Sequence, residues 1–371
     1  MARLRTALIG LGGIAGAHLS AIHRLRDRFE LVAGVDPRGR EAAHASKLGD
    51  APLFADEAAM YENVSDIGAV AICTPHHLHI QNIRSAVAHG ARGILTEKPV
   101  TTTLADMDEA IKLTERHNVR VSVGYILRHN PLFIKMHQLV EAGTYGAPFA
   151  VTCRTEQGWS GKWFDDKSWI KTNEGLGRGG SLFSHGCHYV DAMIWMMGRP
   201  VKAAKVSTKI PQDDRMEGPD TSFAVFQFER GGIGTMFSSW GIRHCESAID
   251  YRLYCQDAQL IYDHRYDGSM DLFVVEQTGV RTRLDASDVG GGGPDAFTGT
   301  KNFIRQYTRF YKCVEEGIDP EPGLRTARQS MEAILNAVDA HEQDRFAVWP
   351  DRPVQLPPFR PIEQDARYHR A

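Results

Sequence analysis

The sequence predicts an α/β protein in two unequal parts. The first is a doubly wound parallel domain, and the second an α+β domain with a large, mostly antiparallel sheet. Three observations predict this. Apolar strands alternate with helical stretches over the first third of the chain, a glycine-rich turn stands between the first strand and first helix, and short strands with glycine-rich turns crowd the later half. A chain of 371 residues is also too long for one ordinary core. The expected boundaries are 1–125 for the first domain, 126–350 for the second and 351–371 for a tail.

Composition narrows the function classes. Formal net charge is −3 with no basic stripe, so electrostatics gives no support to nucleic-acid or anionic-membrane partners. No apolar run approaches the roughly 18 residues of a membrane span, and the N-terminus enters a strand without a signal-peptide core. The six cysteines (Cys73, Cys153, Cys187, Cys245, Cys255, Cys313) are scattered and form no CxxC pair, which argues against a zinc site or redox dithiol. The expectation is a cytoplasmic protein with unpaired thiols.

Residues Arg5 to Ile9 alternate into an apolar strand, and Gly10-Leu11-Gly12-Gly13-Ile14-Ala15 follows, opening a helix to about Leu25. In such a GxGxxA turn the first glycine permits the tight turn, and the second lets backbone approach a pyrophosphate. The small Ala15 allows close helix–strand packing, and the helix N-terminus favours the phosphate charge. With 35 glycines in the chain the turn alone is weak. A strand from Glu30 to Val35 ends in Asp36, 21 positions after Ala15, the spacing of the acid that holds the adenosine ribose. Together they predict a Rossmann dinucleotide site. A carboxylate there accepts from a ribose hydroxyl and repels a 2′-phosphate, so NAD is favoured. Arg38 leaves NADP open by offering a phosphate partner, although an arginine at that position is more often solvated.

The alternation continues through a buried strand at Ile67–Ile72, the turn Cys73-Thr74-Pro75-His76-His77-Leu78-His79, and a helix to about His89. A strand then ends in Thr96-Glu97-Lys98-Pro99, a helix spans about Leu104 to His117, and a strand covers Arg120 to Gly124. Ligands in open parallel sheets bind outside the carboxyl ends of the strands, so Glu97 and Lys98 are aimed at a crevice. The histidines at 76, 77 and 79 have no carboxylate or cysteine at ligand spacing, and no metal is expected.

The order GxGxxA, Asp36, Thr74-Pro75-x-x-x-His79, Glu97-Lys98-Pro99 resembles the glucose–fructose oxidoreductase and inositol dehydrogenase family (Gfo/Idh/MocA). The resemblance implies that Thr74, Pro75 and His79 line the nicotinamide-ribose side. It places Glu97 close to the cofactor, Lys98 toward the substrate, and Tyr125 and Arg128 of the exit segment Tyr125–Pro131 near the substrate.

In the second part a helix is expected from Leu132 to Ala142 and a strand from Phe149 to Thr155. The irregular stretch Glu156–Gly180 carries Trp159, Trp163, Trp169 and Lys171. Aromatic faces and a cation suit a sugar or acidic sugar, with core filling as the plainer use. If Gly179–Trp195 is one helix, Ser184, His188 and Asp191 share a face. This stretch matches the family's catalytic segment, which implies His188 as the acid/base. Inositol dehydrogenases usually carry aspartate where Ser184 stands, and Asp191 is either an orienting acid for His188 or structural. Strands are expected at 202–209, 221–228, 232–239, 249–255, 258–262 and 271–284. By resemblance the exposed face of their sheet makes homodimer or homotetramer contacts. Helices at about Asn302–Glu316 and Leu324–Asp344 close the chain, the latter packing back on the first domain.

A lysine at its reference pKa of about 10.4 is a poor base at neutral pH, whereas histidine needs little tuning. The expected reaction is therefore NAD-dependent oxidation of a secondary hydroxyl of a sugar, cyclitol or derivative. Lys98 would polarise the oxygen and His188 take the proton. One alternative is an NAD-dependent glycosidase working by transient oxidation, elimination, water addition and re-reduction. For it, His185 beside Gly186 resembles the Thr-His-Gly run of the family's glycosidases. A non-catalytic nucleotide sensor is the other, disfavoured by the joint presence of Lys98 and His188.

Overall fold

The structure, a computed structural model, describes residues 3–156, 169–208, 216–242, 247–265, 267–290, 299–343 and 347–348. The first sheet contains β1 (Leu4–Ile9), β2 (Phe29–Val35), β3 (Leu53–Phe54), β4 (Ala69–Ile72), β5 (Gly93–Thr96) and β6 (Arg120–Val123). All pair parallel, in the order β3-β2-β1-β4-β5-β6. Helices α1 (Ala15–Arg24), α2 (Glu57–Asn63), α3 (His79–Ala88) and α4 (Leu104–Arg116) supply the crossovers. This is the Rossmann order, with its switch point between β1 and β4. β4 (Ala-Val-Ala-Ile) and β5 are buried at every position, as strands covered on both faces must be. The short β3 and α2 have no counterpart among the expected elements.

α5 (Pro131–Glu141) opens the second part, with Asn130 Oδ1 accepting from the Leu132 N–H as its cap. After β7 (Pro148–Glu156) come the short helices α6 (Asn173–Leu176) and α7 (Gly180–Ser184), then α8 (Cys187–Met197). The remaining strands are β8 (Pro200–Thr208), β9 (Thr221–Phe228), β10 (Ile233–Ser239), β11 (Ser247–Cys255), β12 (Ala258–Arg265), β13 (Met270–Glu276) and β14 (Arg281–Arg283). They are followed by α9 (Gly299–Glu316), α10 (Leu324–Glu342) and β15 (Ala347–Val348). The nine strands run β14-β13-β12-β11-β7-β10-β9-β8-β15, antiparallel except for the β7–β10 pair. One strand was expected over 271–284. It is two, because the chain turns back at Gly279, where φ is +76°. The sheet buries one face against helices and leaves Phe149, Phe223, Val225 and Ile233 exposed on strands β7, β9 and β10.

The last helix returns to the first domain as expected, and the helix before it does so as well. α10 packs on β8 and α8, and reaches α4 through the ion pairs Arg328–Asp108 and Arg325–Glu115. α9 makes the fuller return: Phe303, Tyr307, Phe310 and Val314 complete the core formed by Leu8, Leu19 and Phe29. The approach is close enough that a Cβ on Gly93 would stand 2.5 Å from Val314 Cγ2. Cys73, Cys153, Cys187, Cys255 and Cys313 are buried and free, and Cys245 lies outside the described residues. Among the described residues no helix is long and apolar enough to cross a membrane.

Candidate active site

The crevice begins where β1 meets α1. Gly10 has φ +88°, and a Cβ there would lie 2.7 Å from the Cys73 carbonyl, so only glycine lets the ends of β1 and β4 pass. Gly12 and Gly13 differ: a Cβ on either would meet nothing within 4 Å. The turn thus borders open space that added side chains would fill. Ile14, at the helix cap, is exposed, and neither a capping side chain nor an acidic residue occupies the first turn of α1. Behind it Ala15 is fully buried, as close packing requires. This cradle of backbone N–H groups suits a dinucleotide's pyrophosphate.

Asp36 closes the adenosine side, but not as an open acceptor. Its Oδ2 accepts from the Leu11 N–H (2.9 Å) and Arg38 Nη2 (2.8 Å), and its Oδ1 from the Arg38 N–H (3.0 Å) and Nε (2.9 Å). Burial pushes this carboxyl's pKa up, yet the Arg38 and Leu11 bonds outweigh it and hold it below its ordinary value. All four lone-pair directions are used. Arg38 is largely solvated, as expected, yet its guanidinium also folds back over Asp36.

On the other side of the switch point, Thr74 Oγ1 donates to Asn82 Oδ1 (2.6 Å), whose amide meets Glu57. Pro75 caps a short 3₁₀ turn, His76–Leu78. His79, read as lining the nicotinamide ribose, is fully buried instead. Its Nδ1 lies 3.0 Å from the Pro99 oxygen and its Nε2 2.8 Å from the Thr74 oxygen, so it ties the ends of β4 and β5 together. Glu97 is also buried, bonded to His18 Nε2 at 3.0 Å. Lys98 is half-buried, and its Nζ crosses to the second part to donate to the Ser184 oxygen (2.8 Å).

The segment opposite departs from a single helix. Gly186 N–H donates to the Ser181 oxygen (3.0 Å), an i→i−5 turn, and α8 begins anew at Cys187. The extra residue rotates α8 relative to α7, so Ser184 leaves the face expected to hold it with His188 and Asp191. Ser184 Oγ turns to His76 Nε2 (3.2 Å), not to His188. Asp191 is fully buried and does not orient His188. It takes a two-pronged bond from Arg128 (Nε–Oδ2 2.7 Å, Nη2–Oδ1 3.0 Å) and another from Ser330 Oγ (3.2 Å). Arg128 is likewise withdrawn from the substrate role. It stacks over Trp195 and borders a separate cavity of about 1050 Å³ with His129, Arg305 and Arg309. Tyr125 has no exposed surface to offer a substrate, and supports the His188 ring edge-on at 6.1 Å.

His188 and His185 remain partly open. His188 Nδ1 is buried without a partner, which leaves Nε2 as the ring nitrogen facing the crevice. Burial first, then the Lys98 charge, then His185, set the His188 pKa well below the usual histidine value. Burial and Lys98 push His185 down to about 3. Both rings are therefore neutral and near a cation. His76, which sequence reasoning singled out only as a metal candidate, joins this group with Trp169 edge-on at 4.5 Å. Lys171 sits half-buried in the 3₁₀ turn Trp169–Lys171, whereas Trp163 and Trp159 lie outside the described residues. His18 and Tyr307 had no sequence signal, because each acts through tertiary contact alone.

Residues 4–125 match the oxidoreductase family with an NAD-binding Rossmann fold, and residues 133–261 match the GFO/IDH/MocA C-terminal domain. The D-glucoside 3-dehydrogenase of Escherichia coli is 26% identical over 300 residues, covering 74% of this chain and 82% of that protein. The D-xylose 1-dehydrogenase (NADP(+)) 2 of Haloferax volcanii is 26% identical over 343 residues, 91% of this chain and 94% of its own. Levoglucosan dehydrogenase, solved with NADH and levoglucosan, shares the fold with a TM-score of 0.83 at 18% identity, over 94% of this chain and all (100%) of that one.

Proposed function

The chain belongs to the GFO/IDH/MocA oxidoreductase family, and from that premise we propose that it oxidises a secondary hydroxyl of a sugar, cyclitol or sugar derivative with NAD. One observation carries the reading: Lys98 from the first domain and a neutral, partly open His188 from the second meet at the same end of the parallel sheet. The Gly10–Ala15 turn and the end of β2 would hold the dinucleotide. When bound, its nicotinamide accepts the hydride.

The protein's own groups handle the proton. Lys98 spends one of three N–H donors on the Ser184 oxygen, leaving two for the substrate oxygen. Its charge stabilises negative charge developing there. His188 Nε2 takes the hydroxyl proton. The lowered pKa keeps it ready as a base, and a weak one, so Lys98 must carry part of the activation. Trp169 stands beside His76 and Lys171 belongs to the same 3₁₀ turn, an aromatic face and a cation that suit a polyhydroxylated ring. The names of the relatives, which act on a glucoside and on xylose, support the same substrate class.

Two variants test the assignment. Lys98→Met and His188→Ala should each lower kcat/KM by about 10² or more while NAD affinity and melting temperature stay close to the parent. Near-normal turnover in either folded variant removes that residue from the reaction. The exposed apolar face around Phe223 and Ile233 supports a homodimer or homotetramer. A monomer by light scattering at micromolar concentration would contradict that assembly.

A further inference from the structure

Behind Lys98 lies a buried polar chain that the reaction above does not use. His18 on α1 is fully buried, with Nε2 3.0 Å from Glu97 Oε1 and Nδ1 2.9 Å from the Tyr307 hydroxyl of α9. Glu97 Oε2 accepts the Lys98 N–H at 3.2 Å. His18 and Tyr307 are 289 residues apart in sequence, so three distant segments are linked in one chain that ends on the carboxylate. Gly124 makes room for it, since a Cβ there would stand 2.9 Å from Oε1.

Placing the protons fixes the charge. Among the described residues Tyr307 has no acceptor but His18, so its hydroxyl donates to Nδ1. Nε2 then carries the ring's hydrogen and donates to Glu97. An imidazolium would need Tyr307 to accept, stranding the hydroxyl hydrogen in the core at the cost of an unmade hydrogen bond. His18 therefore contributes a hydrogen bond and no charge. Burial pushes the Glu97 carboxyl's pKa up, and the hydrogen bond from His18, the Lys98 charge and the Lys98 N–H pull it below its ordinary value. A full negative charge stays under the crevice.

Where that charge stands gives it a consequence. Asp36 marks the half of the sheet that takes the adenosine end of a dinucleotide, so the β4–β5–β6 half takes the nicotinamide end. Glu97 follows β5 in that half and is 7% exposed. An oxidised nicotinamide is a cation and a reduced one is neutral. Lys98 opposes the carboxylate, but its ammonium is half-exposed and drawn to the Ser184 oxygen, so it is the more screened of the two. We infer that Glu97, held ionised by the His18–Tyr307 pair, makes the crevice bind oxidised cofactor more tightly relative to reduced cofactor. Oxidation of substrate then loosens the cofactor and favours its release.

The inference rests on nicotinamide binding and not on the sugar reading, so it is tested without substrate. Dissociation constants for NAD⁺ and NADH are measured by calorimetry and fluorescence, and their ratio is compared among variants. Glu97→Gln should lower the Kd ratio of NADH to NAD⁺ by about tenfold, the order expected for one charge a few ångströms away in a partly buried site. His18→Gln should leave the ratio unchanged, because its uncharged amide can donate to Glu97 and accept from Tyr307. A Glu97→Gln protein that weakens both cofactors equally shows a structural role only and overturns the inference. So does a rise in the ratio for His18→Gln, which would mean that the histidine was a cation cancelling the carboxylate. Should Glu97→Gln not fold, the variant His18→Leu/Glu97→Met/Tyr307→Phe removes the whole chain together, and the same fall in the ratio is expected.

Discussion

Replacing Arg38 by alanine should tighten NAD binding, an unusual direction for removing a residue beside a ligand site. The reason is that Arg38 occupies Asp36. Two of the four bonds on the carboxylate come from its guanidinium, at 2.9 and 2.8 Å, and the ribose must displace them before its hydroxyl can reach Asp36. The guanidinium side chain is 54% exposed, so solvent screens the pair and it is worth on the order of 1 kcal/mol, well short of a buried pair. Removing that competition should lower the NAD dissociation constant about fivefold. NADP should respond oppositely, because Arg38 is the cation at hand for a 2′-phosphate. A charge-assisted bond of about 1.5–3 kcal/mol is then lost, and binding weakens at least about tenfold. Calorimetric titration of both cofactors into both proteins reads the two effects separately. If NAD binds Arg38→Ala equally or more weakly while the melting temperature is kept, Arg38 is not in competition with the ribose. The parent should still prefer NAD, and Asp36→Ser should narrow the gap.

Two other outcomes follow from the histidines. Ser184→Asp should leave the acidic limb of the kcat/KM profile attributed to His188 nearly in place, because residue 184 faces His76; a large upward move of that limb would mean that 184 and 188 do touch in the working enzyme. Acid should destabilise the fold earlier than carboxylate titration alone would. His76 and His129 are buried with pKa values lowered by burial, His129 to about 3, so below about pH 6.5 the unfolded chain binds protons the folded one refuses. Stability should fall with decreasing pH by about 1.4 kcal/mol per unit for each such histidine, as urea melts between pH 6.5 and 5 can show. A flat dependence over that window would mean these rings are protonated in the fold.

The first domain was the more legible part because its signals are local. An apolar strand, a glycine turn and an acid at the end of the next strand specify a βαβ unit within one stretch of chain, and β1, α1 and β2 lie where those residues put them. The second domain's strands were readable for the same reason, apart from the turn at Gly279 and the two-residue β15, which is held only by pairing with β8. The site was less legible. A heptad-like spacing predicts one face only if the helix is unbroken, and a single i→i−5 bond at Gly186 turned Ser184 away from His188. Asp191 stays in one helix with His188, and it is tertiary packing that gives its carboxylate to Arg128. Nor could sequence show that Arg38 would fold onto Asp36, since a solvated rotamer was equally compatible with the pattern. The His18–Glu97–Tyr307 chain is tertiary throughout.

The most direct test of the account is a panel of sugars, cyclitols and glycosides incubated with the protein and NAD, each reaction read both for reduced cofactor by absorbance and for released aglycone by chromatography. A substrate that yields reduced cofactor in proportion to a ketone product, with no aglycone released, is the predicted result. Cleavage of a glycoside without net reduction of NAD would contradict it, and would transfer the proton chemistry to His185 and a redox-neutral elimination.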